Sequence, residues 1–130
     1  KQGFISVALK KIMCDQVIEI WGDGNTVRDY IDVSDVSVAV KSIIKENIEN
    51  KVFNLGCGEG FSLHQVVKFL EKYSHRTAAL EYKDRRAVDV DKMVLDVSAL
   101  KSSIKFEPKP LDVGIKHFVK HLLQAKPDEK

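Results

Sequence analysis

The residues of this sequence that could do chemistry fall into three groups: a glycine-rich turn, a few arginines, and scattered histidines and cysteines. Gly56, Gly58 and Gly60 lie between the apolar run Val52-Phe53-Asn54-Leu55 and the segment Ser62-Leu63-His64-Gln65. A loop that cradles a dinucleotide pyrophosphate needs G-x-G-x-x-G, whose last glycine permits close helix packing. Phe61 stands where that glycine would be, although Glu81 falls about where a ribose-binding carboxylate would. The pattern therefore reads as a tight connection from strand to helix. Helix starts carry unpaired N–H groups and a partial positive charge, so the same turn reads either as a plain cap or as a place that faces an anion.

The arginines are Arg28, Arg76, Arg85 and Arg86, against plentiful lysine. A guanidinium suits two-pronged contact with phosphate. Arg28 follows the turn Gly22-Asp23-Gly24-Asn25, and Arg85-Arg86 sits in a loop with Asp89. Taken singly, each reads as a solvated surface charge, and the sequence does not say whether the two loops meet. His117 and His121 are spaced to share a metal on one helix face, but no third ligand accompanies them, so they read as a solvated face. Cys14 and Cys57 form no C-x-x-C, so neither a zinc knuckle nor a disulfide scaffold is indicated. One bridge between them is the alternative to a reducing, cytosolic setting. No G-x-S-x-G, G-x-x-x-x-G-K-[ST] or H-E-x-x-H occurs. None of Tyr30, Tyr73 and Tyr82 has a lysine four residues later.

These residues must be positioned by the surrounding elements. Apolar residues at 4, 5, 8, 9, 12 and 13 predict a helix over Phe4–Met13. Strands are expected near 17–20, 28–32, 52–55 and 78–82. Ser34 is the expected cap of a helix from Asp35 to about Glu46, and Ser62 with Gln65 forms a capping box for a helix to about Tyr73. A charged loop covers Lys83 to Asp91, a helical turn Asp96 to Ser102, and an extended connection Pro108 to Pro110. Leu111 to Gln124 is the last helix and 126–130 a frayed tail. The fold class is α/β: a small mixed lobe of short strands and about three main helices beginning near 35, 62 and 111. The strands are too few for a complete doubly wound sheet. Residues 1–125 are expected to form one domain.

The chain has 130 residues, of which 44% are apolar, as in a globular protein. With 21 basic and 19 acidic residues, the net charge of +2 argues against a nucleic-acid binder or a polybasic membrane anchor. No apolar run approaches the length of a membrane span, and Lys10-Lys11 interrupt the first apolar stretch, which excludes a signal peptide there. Lys1-Gln2-Gly3-Phe4 reads like a chain entered in the middle.

Three blocks then carry a resemblance. Trp21-Gly22-Asp23-Gly24-Asn25-Thr26-Val27-Arg28-Asp29-Tyr30-Ile31-Asp32-Val33-Ser34-Asp35-Val36 resembles [YW]-G-D-G-x-x-x-R-D-[FY]-[IV]-x-V-x-D-[VL]. That block marks the extended short-chain dehydrogenase/reductase family of nucleotide-sugar epimerases and dehydratases. Val52–Gly58 with Ser62 resembles V-[FY]-N-[ILV]-G-x-G followed by Ser or Thr, and Arg85–Val90 with Asp96-Val97-Ser98 resembles R-R-P-G-D-x ending in A-D-[IVT]-S. The blocks come in the family's order and spacing across nearly the whole chain.

The resemblance implies the C-terminal, substrate-binding part of a longer Rossmann-type enzyme. It places the NAD-binding Rossmann domain and the Y-x-x-x-K pair in an N-terminal domain outside this chain. It implies an NAD-dependent 4-epimerase of a UDP- or dTDP-hexose working through a 4-keto intermediate, cytoplasmic and homodimeric. A 4,6-dehydratase or decarboxylase of the same family, or a free-standing nucleotide-binding module, is the alternative. Residue by residue, it implies Arg28 and Arg86 at the diphosphate and Asp89 as acceptor for a ribose hydroxyl. Glu19, Ile20 and Trp21 would line the base pocket, with Ser62 a polar neighbour of the nucleotide. No catalytic residue of the family's pattern lies in this chain. One departure stands out: the family's Pro-Gly after the arginine pair is Ala87-Val88, which cannot take glycine's special φ values cheaply.

Overall fold

The computed structural model describes residues 3–87 and 89–124. They form two compact units, one comprising the described parts of Lys1–Thr26, Ser62–Asp91 and Ile115–Lys130, the other Val27–Phe61 and Lys92–Gly114.

The first unit is built on two strands, β1 (Ile18–Trp21) and a partner at Leu80–Lys83, paired in parallel from Ile18 opposite Leu80 to Trp21 opposite Lys83. Alternation along β1 is strict: Ile18 and Ile20 are buried, while Glu19 and Trp21 face outward. That is what a period-two pattern with one covered face dictates. Helix α1 (Phe4–Met13) buries Ala8, Leu9 and Ile12, and the helix at Leu63–Ser74 buries Val66, Val67 and Leu70. Spacings of three and four residues put each set on one stripe, and the two helices pack together.

The second unit holds a three-stranded sheet with β2 (Val27–Asp29) between β3 (Gly60–Ser62) and a strand at Lys92–Met93. Helix α2 (Val33–Lys45) contributes Ala39 to a core with Leu100, Ile104 and Phe106, against which Ile31, Ile43, Ile48, Phe53 and Leu55 pack. In chain order the remaining elements are α3 (Leu63–Ser74), β4 (Leu80–Lys83), β5 (Lys92–Met93), α4 (Ser98–Ser103) and α5 (Leu111–Gln124). No helix among the described residues is long and apolar enough to cross a membrane.

The α/β class stands, with differences in detail. Four helices rather than three have ten or more residues, α1 being the additional one. Helix α2 begins at Val33 and its cap is Asp32, not Ser34. The Asp32 carboxylate accepts the Ser34 N–H at 2.8 Å and the Ser34 hydroxyl at 2.5 Å, so the serine is a donor to the cap. Strand β2 consequently stops at Asp29, because the chain must leave the ladder to bring Asp32 to the helix start. Val52–Leu55 is extended in no ladder. Val52 is 96% exposed, and the Asn54 amide donates to the Asp96 carbonyl at 3.0 Å. Strand β4 starts later than expected because the Ala78 N–H donates to the Glu71 carboxylate instead, at 2.8 Å. The tail at 126–130 lies outside the described residues.

Candidate functional site

In the first unit, β1 ends at Trp21 and the chain reverses through Gly22 (φ 85°) and Gly24 (φ 76°), conformations that favour glycine. Asp23 fastens the turn, accepting from the Asn25 backbone at 2.9 Å and its amide at 3.0 Å. Those bonds hold the Asp23 carboxyl below the usual aspartate range. The turn is seated on α3: the His64 N–H donates to the Gly24 carbonyl at 3.3 Å. A β-carbon at Gly24 would come within 2.5 Å of His64 Nε2. That ring nitrogen is bonded to the Tyr82 hydroxyl on β4 at 3.0 Å.

The loop after β4 closes over Trp21. The Arg86 guanidinium carbon lies 4.1 Å from the centre of the Trp21 ring, a cation–π distance. Arg85 does different work. Its Nη2 donates to the Asp89 carbonyl at 2.9 Å and pairs with the Asp91 carboxylate at 2.5 Å. The Asp89 N–H donates to the Arg86 carbonyl at 3.1 Å. Val88 lies outside the described residues.

Of the residues expected to bind substrate, Glu19, Ile20, Trp21, Ser62, Arg86 and Asp89 therefore belong to one unit, and Arg28 to the other. Trp21 and Arg86 are in contact, with Asp89 bonded to the Arg86 backbone. Ile20 is fully buried, so its side chain serves the core and only its backbone is available to a ligand. The Ser62 hydroxyl accepts from the Gln65 N–H at 3.2 Å while the Gln65 side chain accepts from Ser62 N at 2.8 Å. With His64 N bonded to Gly24, the N–H groups of Ser62, His64 and Gln65 are occupied, and the turn before α3 acts as a cap.

In the second unit, Arg28 is half-buried on β2 and donates to the Val27 carbonyl at 2.8 Å. Its neighbour Asp29 accepts from Cys57 N at 2.8 Å, Gly58 N at 2.9 Å and Leu95 N at 3.3 Å. The Cys57 and Gly58 N–H groups of the Gly56–Gly60 turn are thus occupied by a carboxylate, whose charge would repel a pyrophosphate. The Cys57 thiol donates to the Tyr30 carbonyl at 2.8 Å. Burial, reinforced by the Asp29 charge, pushes that thiol up to about 11. Asp35, 6% exposed, is held by the Lys109 ammonium at 2.6 Å and the Lys109 N–H at 2.8 Å. Among the described residues no group of three or more His, Cys, Asp and Glu is arranged to hold a metal. The sequence assigns no site role to Asp29, His64 or Arg85, although Asp29 stands in the first family block and Arg85 in the arginine pair.

Residues 1–56 match the family described as NAD dependent epimerase/dehydratase family. The dTDP-4-dehydro-6-deoxyglucose reductase of Escherichia coli is 28% identical over 123 residues, covering 94% of this chain and 39% of that protein. A UDP-glucose 4-epimerase of Bacillus subtilis is 34% identical over 90 residues, covering 67% of this chain and 26% of that protein. The fold superposes on the UDP-glucose 4-epimerase of Thermotoga maritima solved with UDP-glucose, with a TM-score of 0.82 and 32% identity over 94% of this chain and 40% of that one. It also superposes on MoeE5 in complex with UDP-glucuronic acid and NAD, with a TM-score of 0.85 and 25% identity over 96% of this chain and 42% of that one. The chain thus spans about two fifths or less of the length of these relatives.

Proposed function

Because the chain belongs to the NAD-dependent epimerase/dehydratase family, we propose that it is the C-terminal, nucleotide-sugar-binding part of a longer enzyme, a 4-epimerase of a UDP- or dTDP-hexose. The observation that carries this reading is the Trp21–Arg86 stack at the end of β1. It joins a flat aromatic wall for a base to a guanidinium for a phosphate. Arg85 holds the loop's shape, leaving Arg86 at the ring.

In this reading Trp21 provides the base wall, with the backbone of Glu19 and Ile20 beside it. Arg86 takes a phosphate oxygen through a charge-assisted bond. Arg28, the counterpart of the arginine in the family block, is proposed to take another. Asp89 accepts from a ribose hydroxyl, and Ser62 acts through the cap that fixes the start of α3. Holding the nucleotide firmly keeps an oxidised sugar bound while it reorients, which is how remote binding energy serves the reaction. NAD supplies hydride transfer in the family. No dinucleotide loop occurs among the residues described, so its binding falls to the rest of the polypeptide.

A specific feature favours part of a longer protein over a free-standing module. In the second unit Val52 is 96%, Val33 78% and Ile44 69% exposed, and Val52–Leu55 is a strand-like segment without a ladder. Contact with further protein would cover these side chains.

Calorimetric titration with UDP, dTDP and UDP-glucose tests the reading. Removing one charge-assisted phosphate contact costs about 1.5–3 kcal/mol, so Arg86→Ala and Arg28→Ala should each weaken binding about ten- to a hundredfold. Unchanged affinity in both variants would overturn the site.

A further inference from the structure

Arg86 has one partner in this structure and a different one in the proposed complex. Its guanidinium lies over the face of Trp21. Among the described residues it has no hydrogen-bond or ion-pair partner. Its neighbour Arg85, by contrast, is fastened twice, to Asp91 and to the Asp89 carbonyl. The loop is therefore held by Arg85, while Arg86 is free to swing about its own side-chain torsions without the loop moving.

We infer that Arg86 is a placeholder on Trp21 and a determinant of specificity: a nucleoside diphosphate draws the guanidinium off the ring, and the base takes the ring face it leaves. This rests on the proposed nucleotide-binding role and adds what the site demands of its ligand. Magnitudes decide the direction of the exchange. An exposed cation–π stack is worth a factor of about two to five. A charge-assisted bond to phosphate is worth a factor of about ten to a hundred. A diphosphate therefore wins the guanidinium from the ring, whereas a base alone must displace it with no compensating bond. The site then discriminates against nucleosides by more than the missing phosphate contacts.

The exchange has a reporter in Trp21, the only tryptophan in these 130 residues; in the longer protein its signal is the part that Trp21→Phe removes. Inorganic pyrophosphate contains no base, so it should pull Arg86 away and leave the ring bare. Iodide or acrylamide quenching of Trp21 should rise on titration with pyrophosphate and fall on titration with UDP or dTDP. Arg86→Ala should have opposite effects on two ligands. Affinity for uridine or thymidine should rise about two- to fivefold, while affinity for the matching diphosphate falls about ten- to a hundredfold. Arg86→Lys keeps the charge but stacks less well. It should recover part of the diphosphate affinity and keep part of the nucleoside gain, and this guards against a folding defect in the alanine variant.

Unchanged quenching at pyrophosphate concentrations that calorimetry shows to be saturating would overturn the exchange. So would nucleoside affinity that falls in both Arg86 variants. Either result with UDP or dTDP binding intact leaves the nucleotide-binding role standing. Failure of the unmodified protein to bind UDP, dTDP and pyrophosphate overturns both.

Discussion

Asp29 holds the backbone of Gly58: its carboxylate accepts that residue's N–H at 2.9 Å, and the Cys57 N–H at 2.8 Å beside it. Gly58 sits at φ 74°, and a β-carbon there would come within 2.9 Å of Val97. A strand residue thus caps a turn that is distant in the chain, and it does so with the charge that would repel a phosphate.

Asp29→Ala should therefore be among the costliest substitutions in the second unit. Three backbone donors lose their acceptor at once, at about 1–3 kcal/mol for each one left buried. Partial rehydration lowers the sum, and an overall loss of about 3 kcal/mol is expected. Asp29→Asn should recover part of this, because the amide oxygen can still accept on one side of the group while its NH2 faces a backbone donor on the other. Urea unfolding monitored by circular dichroism measures both. A loss under 1 kcal/mol for the alanine variant would show that the turn does not depend on this carboxylate.

The capping box at α3 gives a smaller and separable effect. Ser62→Ala removes the acceptor of the Gln65 N–H and should cost about 1 kcal/mol, Ser62→Gly only a few tenths. Because Gln65 caps Ser62 in return, Gln65→Ala and Ser62→Ala should combine less than additively. Strict additivity of the unfolding free energies would mean that the two bonds act independently.

The contrast between Ser62 and Asp29 shows what the sequence makes legible. The box is local: Ser62 and Gln65 lie three residues apart, and their types name the motif. Asp29 finds its partners 28 and 66 residues away, and no local pattern specifies them. Val52–Leu55 has the composition of a strand, but a strand also needs a partner brought alongside it from elsewhere in the chain, and no local pattern specifies one. Asp32 and Ser34 are both good caps by type, and only the geometry makes one the acceptor and the other a donor. In the site, the arginine pair was visible in the block, but the division of labour between Arg85 and Arg86 was not. It depends on Asp91 and on the Asp89 carbonyl, which the loop's fold brings to Arg85.

Cys57 gives a test by pH. Its thiol is raised from the ordinary 9.0 to about 11 and is bonded to the Tyr30 carbonyl. The reactive species is the thiolate, so at pH 8 an alkylating reagent should modify exposed Cys14 well before Cys57. Because the folded state holds the Cys57 proton more tightly than the unfolded one, this group's contribution to stability is fully present below pH 9. It is lost as pH rises toward 11. Mass spectrometry of peptides after timed labelling reads the order; equal rates at the two cysteines would refute it.

Asp35 and Lys109 should respond unequally. The Asp35 side chain is 8% exposed and that of Lys109 34%. Lys109→Ala strands a buried carboxylate with one backbone donor, at a cost of about 1–3 kcal/mol. Asp35→Asn leaves an ammonium that can turn to water, and the amide oxygen can still accept the Lys109 N–H, so its cost should be smaller. The Asp35 bond raises the Lys109 pKa above 10.5, so the part of the stability that comes from the lysine's charge is present at neutral pH and declines as pH rises past that value. Thermal melts of both variants at pH 7 and of the native protein up to pH 11 check the order and the sign.

Gly24 offers the most direct probe of how the turn behind Trp21 is held. Its φ of 76° is a left-handed conformation, so alanine there carries strain of about 1 kcal/mol from the backbone alone. The added carbon would also meet His64 Nε2 at 2.5 Å. The ring can retreat only by giving up its 3.0 Å bond to Tyr82. Gly24→Ala should thus cost the strain plus that bond, about 2 kcal/mol in all. In a His64→Ala background the obstacle is gone, and Gly24→Ala should then cost only the strain. The double-mutant cycle therefore predicts a coupling of about 1 kcal/mol between positions 24 and 64. Tyr82→Phe should reproduce part of the His64→Ala loss. Additive effects at 24 and 64 would show that the ring does not brace the turn, and that Trp21 is placed by the β1–β4 ladder alone.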